Sequence, residues 1–490
     1  MTLLNNNNRH WWVLIATGFM ILLVNLDIAI VNVAMAPIAK VFHASLSQVQ
    51  WVGNSYVLAA AMCFVVGGRL ADMKGKRRIY IMGAFVFALG SAFAAAAPTI
   101  WALVAGRAIQ GAGFAFALSL ALVLTTEAFP VNRRGFAVGV TVTITGIAQS
   151  VGPTLGGLIL HYASWHWIFI MNIPLAILSI VLTLMACHDD ARNTEETLDG
   201  VGFLLLSLGV VPLVLVLNEL VNWGWSSDKT LIGFAVSALS LLAFFWHERR
   251  VKHPLVDVKL FRYTSFTASI GVRAMFMYSW MLVLLFLPLY YQNILGFTPL
   301  KTGLTLLLLT VVAGAASPLT GHALDKVGFK KVSRVALWCS VVATGMFACM
   351  TYIQATWYVS IAMIFYGLSL GMLLTSTING VLSSVPETVS GACMGIFFTA
   401  AFLVSAISIA VGGSLMALVS RWHLPVALRT QTIERMAQGV APSQHATLQI
   451  AHQAKTAFLT GFSVNMWICF GLLLIGLWLS RFMRTHVLQD

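Results

Sequence analysis

Charged residues are scarce in this sequence: Asp, Glu, Lys and Arg make up 9% of its 490 residues, whereas hydrophobic residues make up 59%. Soluble globular domains carry about 25% charged residues, so this composition excludes a water-soluble protein. Apolar runs of about 20 residues recur from end to end, each long enough to cross a hydrocarbon core of about 30 Å. The sequence therefore predicts an all-α, multi-pass membrane protein.

Several chemical signatures are also missing. The six cysteines form no CxxC pair, and the twelve histidines show no metal-ligand spacing. The chain has no glycine-rich phosphate-binding loop of the P-loop type, so direct use of ATP is not expected. It also has no nucleophile–base constellation and no soluble catalytic domain. We therefore expect a protein that is not an enzyme and that has no cofactor and no metal.

The net charge of +13 does not indicate nucleic-acid binding. Basic residues of membrane proteins collect in cytoplasmic loops, and dense clusters such as "KGKRR" (74–78) directly follow apolar runs here. We count fourteen candidate spans, an even number that leaves both termini on one side. The basic loops predict that this side is the cytoplasm, in a cell inner membrane. The expected partners are lipid, protons and a small-molecule substrate, and we expect a monomer.

An internal duplication predicts the architecture. "GRLADMKG" (68–75) ends the second span and "GHALDKVG" (321–328) ends the tenth. Both read G-x-x-x-D-x-x-G, and cations follow both. Parallel six-helix repeats are typical of secondary transporters that rock two bundles around a central site. We predict bundles at 1–198 and 263–490, the second with an external loop at 421–456, and a linker helix pair at 199–262.

Asp27 lies in the middle of the first span, where a charge is expensive. Counting along the helices at 1.5 Å per residue puts Asp27 and Arg107 of the fourth span at similar depth. We expect them to pair as a proton-coupling site. The alternative is a polar contact between two helices with no functional role.

Longer motifs resemble the major facilitator superfamily, and within it the fourteen-span drug:proton antiporters. "GRLADMKGKRR" is similar to the loop 2–3 signature, "RAIQGAG" (107–113) to the span-4 signature, and "GIAQSVGPTLGG" (146–157) to the span-5 antiporter motif. The segments "LDIAIVNVAMAPIA" and "WHWIFIMNIP" also resemble the family. The resemblance implies a proton-coupled antiporter that exports amphipathic, cationic or neutral, small molecules by alternating access. It leaves open a dedicated exporter of one metabolite or siderophore, and a polytopic enzyme or sensor is a distant alternative.

Three groups of residues are candidates for this function. The substrate cavity is assigned to Asn32, Tyr56, Gln110, Gln149, Tyr278, Trp280 and Tyr290. The conformational gate is assigned to Gly68, Asp72, Gly75, Lys76, Arg77, Glu127 and Asp325. The antiporter motif comprises Gly146, Gly152, Pro153, Gly156 and Gly157, whose glycines are expected to pack against the other bundle and whose proline is expected to kink the helix.

Some positions depart from the family pattern or are open to two interpretations. His166 stands where an arginine is usual, and the second bundle has no acidic residue at depth. Glu127 is expected to pair with Lys76 or Arg77, with a solvated surface charge as the alternative. Arg273 lies one or two turns into the ninth span. Its side chain could extend to the membrane interface; alternatively, it could bind an anionic substrate or act in a gate.

Overall fold

The computed structural model describes residues 8–44, 46–130, 133–187, 199–252, 254–297, 299–386, 389–423 and 448–483. Within these ranges the chain forms helices joined by turns, and no strand. The long helices are α1 (Arg9–Phe42), α2 (Leu46–Lys74), α3 (Lys76–Ala95), α4 (Ile100–Ala128), α5 (Arg134–Tyr162), α6 (His166–Ala186), α7 (Gly200–Trp223), α8 (Asp228–Glu248), α9 (Thr264–Asn293), α10 (Pro299–Val327), α11 (Phe329–Ala348), α12 (Thr356–Leu382), α13 (Ser390–His423) and α14 (Leu448–Leu479).

The described part of the chain confirms a polytopic all-α protein. Thirteen of these helices, all except α5, are long and apolar enough to cross a membrane. Helix α5 has 29 residues, but some of its side chains lie outside the described set. The described ranges therefore contain fourteen long helices, as many as the spans that were expected. Thirteen of them are also apolar enough to cross a membrane.

The helices pack in two groups. Helices α1 to α6 contact one another, α9 to α14 contact one another, and the two groups meet chiefly through α2 with α13 and α5 with α10. The pair α7 and α8 packs together, and α7 also contacts α2 and α13. The linker pair therefore lies beside one of the two lines of contact between the groups.

The repeated motif builds the same turn twice. Gly75 separates α2 from α3 with φ 97°, and Gly328 separates α10 from α11 with φ 79°. A residue with a Cβ is strained at positive φ, so each copy needs glycine at this turn. We call the end of the molecule that carries these two turns the motif end.

The connection between α13 and α14 is shorter than predicted. The sequence placed a loop at 421–456, but α13 continues to His423 and α14 begins at Leu448. Residues 424–447, the middle of this predicted loop, lie outside the described ranges.

Small residues let α3 and α4 approach closely. A Cβ on Gly113 would collide with the backbone nitrogen of Phe87, and one on Gly90 would lie 2.5 Å from the backbone nitrogen of Gln110. Helices in a bilayer gain little from hydrophobic association, so close backbone packing of this kind contributes much of their stability.

We expect Gly113→Leu to destabilise the protein by about 1–3 kcal/mol, because the new side chain has no space between α3 and α4. The measurement is the thermal unfolding midpoint of the purified protein in detergent. Gly157→Ala is the matched control, since a Cβ at Gly157 meets nothing within 4 Å. Equal midpoints for Gly113→Leu and the wild type would contradict the packing.

Candidate functional site

The first bundle buries an ion pair. Nη1 of Arg107 on α4 lies 2.5 Å from Oδ2 of Asp27 on α1, and the side chains are 2% and 0% exposed, respectively. Charges in a low-dielectric interior attract strongly, although the gain offsets the desolvation cost only when further hydrogen bonds satisfy both groups. The surroundings of the pair therefore decide whether it is tolerated.

Amide side chains supply these further hydrogen bonds. Nδ2 of Asn172 on α6 donates to Oδ1 of Asp27 at 2.7 Å, and Nε2 of Gln110 is 3.4 Å from the same oxygen. Nη1 of Arg107 also donates to Oε1 of Gln110 at 2.7 Å, and Nε2 of Gln110 donates to Ser91 at 2.6 Å. The carboxylate is therefore linked to α3, α4 and α6.

Besides Gln110, the arginine has two contacts that do not depend on the carboxylate. Its Nε donates to the carbonyl oxygen of Val52 at 3.2 Å, and its guanidinium carbon lies 4.1 Å from the ring centroid of Tyr56. A cation over an aromatic face is stabilised by the ring quadrupole. Arg107 can thus keep the carbonyl, the amide oxygen of Gln110 and the aromatic face if Asp27 takes up a proton.

The motif end carries a second polar cluster. Asp72, near the end of α2, accepts hydrogen bonds from the backbone nitrogens of Gly391 (3.1 Å) and Ala392 (2.8 Å), in the first turn of α13. The N-terminus of a helix attracts negative charge because its first N–H groups are unpaired and its dipole is positive there. Asp72 in one bundle therefore caps a helix of the other.

An ion pair and close backbone packing reinforce this contact. Nζ of Lys76 lies 2.5 Å from Oε1 of Glu127, which also accepts a hydrogen bond from Ser390 at 3.2 Å. A Cβ on Gly68 would collide with the carbonyl oxygen of Gly391. Arg77 donates instead to the carbonyl of Leu184 at 2.9 Å. We call Asp72, Lys76, Glu127 and the first turn of α13 the lock.

The second copy of the motif makes an equivalent approach. A Cβ on Gly321 of α10 would lie 2.5 Å from the carbonyl oxygen of Gly135, at the start of α5. Gly321 corresponds to Gly68, and each of the two glycines faces the start of a helix in the opposite bundle. The side chain of Asp325, which corresponds to Asp72, lies outside the described set.

The contact between α5 and α10 widens away from the motif end. A Cβ on Gly139 would come within 2.6 Å of the carbonyl oxygen of Ser317, whereas one on Gly146 would be 3.7 Å from that of Thr310. Farther along α5, Gly152 faces α1 of its own bundle. The two bundles are thus closed at the motif end and diverge toward the other end.

Comparison with known proteins identifies the family. The profile described as Major Facilitator Superfamily matches residues 17–409. The chain belongs to the major facilitator superfamily. Its members are transporters, so the expectation that this protein is not an enzyme is confirmed.

Curated relatives of this superfamily member are named as resistance and export proteins. "Multidrug resistance protein Stp" of Mycobacterium tuberculosis is 32% identical over 412 residues, 84% of this chain and 76% of the relative. "Tetracenomycin C resistance and export protein" of Streptomyces glaucescens is 28% identical, over 84% of this chain and 76% of the relative. "Lincomycin resistance protein LmrB" of Listeria monocytogenes is 29% identical, over 92% of both chains.

Solved structures share the fold of this superfamily member. The proton:xylose symporter XylE superposes with a TM-score of 0.59 at 14% identity, over 95% of this chain and 96% of that chain. The human organic anion transporter MFSD10 gives a TM-score of 0.58 at 14% identity, over 96% and 100% of the two chains.

The residues predicted to line the transporter's cavity do not form one cluster. Tyr56 and Gln110 belong to the buried network around Arg107, and Gln149 is 3.4 Å from Asn25. Other members of the set are buried in the second bundle, where Trp280 stacks on Tyr366. Tyr278 and Tyr290 are buried there too, and the side chain of Asn32 lies outside the described set.

A small cavity of about 50 Å³ lies elsewhere, between α2, α7 and α13. Its lining includes Asn54, Ala61, Val214 and Leu403, and none of the seven predicted cavity residues belongs to it. The assignment of the seven residues to a substrate cavity stays a prediction. Apolar residues surround most helices of a membrane protein, so the sequence pattern does not fix which face turns inward. Linker helix α7 closes one side of this cavity.

The predicted neighbour of the antiporter motif is also wrong for two glycines. A Cβ on Gly152 would collide with the Cβ of Ala29, and one on Gly156 would lie 3.1 Å from Ile30, both on α1. These glycines join α5 to the helix that carries Asp27, not to the other bundle. Gly146 does face α10, Gly157 is exposed, and the side chain of Pro153 is not among those described.

Two members of the network around Asp27 were missed by the sequence analysis: Asn172 donates to Asp27, and Ser91 accepts from Gln110. Asn172 and Ser91 are buried polar residues in otherwise apolar helices. Asn172 lies inside the "WHWIFIMNIP" segment that resembles the family, and this was the available signal. The sequence carried no signal for Ser91, because a single serine in a membrane helix usually bonds to a backbone carbonyl of the same helix.

We expect Asp72→Asn to weaken the lock, because an amide is a poorer acceptor for the N–H groups of α13 and lacks the charge that the helix dipole favours. A loss of about 1–3 kcal/mol would change the ratio of two conformations by about 5- to 150-fold. Electron–electron resonance distances between spin labels at Arg78 and Lys331, exposed positions at the motif end, would report separation of the bundles.

The control for this variant is Asp228→Asn, which removes an exposed carboxylate in the first turn of α8. It should leave the distance distribution unchanged. A distribution in Asp72→Asn identical to that of the wild type would show that Asp72 does not hold the motif end closed.

Proposed function

We propose that this protein is a proton-coupled antiporter that exports amphipathic small molecules by alternating access. The observation that carries the proposal is the buried pair of Asp27 and Arg107, with Gln110 as a second acceptor for the arginine. Ionisable groups at such depth are functional candidates because they are expensive to keep for structure alone. The resistance and export relatives support the transport direction.

The coupling step follows from the hydrogen bonds of the pair. A proton added to Oδ2 of Asp27 neutralises the carboxylate and ends its ionic contact with Arg107. The guanidinium keeps its bonds to Gln110 and to the carbonyl of Val52, so it remains satisfied in the protonated state. Loss of the proton restores the ion pair and draws α1 back toward α4. Protonation is thereby converted into a change in helix contacts.

The orientation proposed here puts the motif end and both termini in the cytoplasm of a cell inner membrane, following the distribution of basic residues. The arrangement described above, closed at the motif end, then corresponds to the state open to the outside. Asp27 lies 18 residues, or about 27 Å, along α1 from Arg9, in the half that is farther from the motif end. A proton would therefore load from outside in this state. We propose that the protein acts as a monomer.

A dedicated exporter of one compound is the second candidate. It is favoured by relatives named after single compounds, tetracenomycin C and lincomycin. Both candidates share the coupling chemistry, and they differ in how many substrate classes are exchanged for protons. A panel of chemically unrelated amphiphiles, tested on purified protein, separates them.

We expect Asp27→Asn to abolish transport driven by a pH gradient in proteoliposomes, because an amide cannot exchange the proton. The fold should persist, since asparagine has the same shape and its one amide oxygen can still accept from Arg107. Far-ultraviolet circular dichroism and elution volume check this point.

Asp228→Asn, at the exposed position used above, is the matched control and should transport at the wild-type rate. Proton-driven transport by Asp27→Asn at the wild-type rate would exclude Asp27 as the coupling group.

A further inference from the structure

Arg273 on α9 is a buried charge with unsatisfied donors. Its side chain is 7% exposed, and its Nε and Nη1 atoms have no hydrogen-bond partner. No carboxylate in the described part of the chain forms an ion pair with it. An unpaired charge in such a position costs far more than a paired one, so a partner is required in some state of the transport cycle.

The position of Arg273 excludes the explanation that its side chain merely extends to the membrane interface. Nine residues separate it from Thr264, which puts it about 14 Å along α9 from the motif end, deeper than the sequence analysis expected. A side chain that extended to the interface would expose its guanidinium to water. Instead, the guanidinium carbon lies 5.5 Å from the ring centroid of Phe397 on α13.

Phe397 connects this site to the contact between the bundles. Two residues before it, a Cβ on Gly395 would lie 2.5 Å from the carbonyl oxygen of Phe64 on α2. Two residues after it, Thr399 donates to the carbonyl oxygen of Ala61 at 2.9 Å. Residues two apart point to opposite sides of a helix, so Arg273 lies on the far side of α13 from its contact with α2.

A second unpartnered donor lies one helical turn from Arg273. Ser269 is fully buried, and its Oγ has no hydrogen-bond partner. Residues four apart lie on the same helix face, so Ser269 and Arg273 share one face of α9. A hydroxyl and a guanidinium together are suited to a carboxylate or phosphate group, which accepts several hydrogen bonds at once.

The charged residues inside the predicted spans also favour an anionic ligand. Asp27, Arg107 and Arg273 are the charged residues that lie more than one helical turn inside the predicted spans. Asp27 and Arg107 neutralise each other, which leaves one uncompensated positive charge in the interior. Low-dielectric walls focus such a field, so it attracts anions and repels cations.

We propose that Arg273 and Ser269 bind the anionic group, a carboxylate or a phosphate, of the exported amphiphile. The substrate is then an anion or a zwitterion, in place of the cationic or neutral compound expected from the sequence. The inference rests on the proposed export function, for which it names the substrate class.

Rhodamine B and its ethyl ester test this proposal, because they differ only in whether the carboxylate is free. Binding to the purified full chain in phosphatidylcholine nanodiscs is followed by fluorescence anisotropy. A charge-assisted hydrogen bond predicts that the wild type binds rhodamine B about 10- to 100-fold more tightly than the ester. Arg273→Gln should remove this preference, Arg273→Lys should keep part of it, and Ser269→Ala should reduce it.

Arg262→Gln is the matched control, since it removes an exposed arginine eleven residues away and should leave the preference unchanged. The thermal midpoint of Arg273→Gln without ligand should not fall, because the variant loses a buried unpaired charge. Equal binding of the two dyes by the wild type, or an unchanged preference in Arg273→Gln, overturns the proposal. So does a preference that disappears when phosphatidylglycerol replaces part of the lipid, because the site would then belong to a lipid headgroup.

The experiment separates this inference from the proposed function. Asp27→Asn should keep the equilibrium preference for rhodamine B while it loses proton-driven transport. If the wild type shows the Arg273-dependent preference but no flux driven by a pH gradient, the antiport mechanism fails and the anion site stands. If proton-driven flux is present and the preference is absent, only the anion site fails.

Discussion

Burying a charge away from water is the constraint on which the arrangement of the first bundle depends. Asp27 can be held inside only if each carboxylate oxygen has a donor, and the donors come from different helices: Arg107 on α4 and Asn172 on α6. Glycine packing between α3 and α4 brings Ser91 to Gln110, which completes the network. The rotation of several helices is therefore set by the needs of one carboxylate.

The contact between the bundles follows a different rule, because in the alternating access proposed above it must form and break. Apolar side chains alone gain little from association in a bilayer. The lock instead uses a carboxylate on a helix N-terminus, where the partner is a set of backbone N–H groups that exists in any conformation of that helix. Asp72 can release Gly391 and Ala392 without disturbing the hydrogen bonds within α13. A reversible contact is thus made from two rigid elements.

The sequence predicted the fold class and the repeat because both depend on long-range regularities: runs of apolar residues and a motif found twice. It also predicted that Asp27 and Arg107 lie at similar depth, since the rise per residue along each helix is enough to calculate depth. It could not give the rotation of each helix about its axis, because in lipid both faces of a helix are apolar. This is why Asn172 and Ser91 were missed and why Gly152 was assigned to the wrong neighbour.

The two bundles carry the same repeated motif, but their buried charges are compensated differently. In the first, a buried carboxylate and a buried guanidinium satisfy each other, so the pair carries no net charge. In the second, Arg273 has unsatisfied donors and lies on the far side of α13 from its contact with α2. A proton and an anionic group acting in different bundles would influence each other through the conformation that they share, without competing for one carboxylate. Exchange would then be coupled because protonating Asp27 and filling the site at Arg273 favour different states of the contact between α2 and α13.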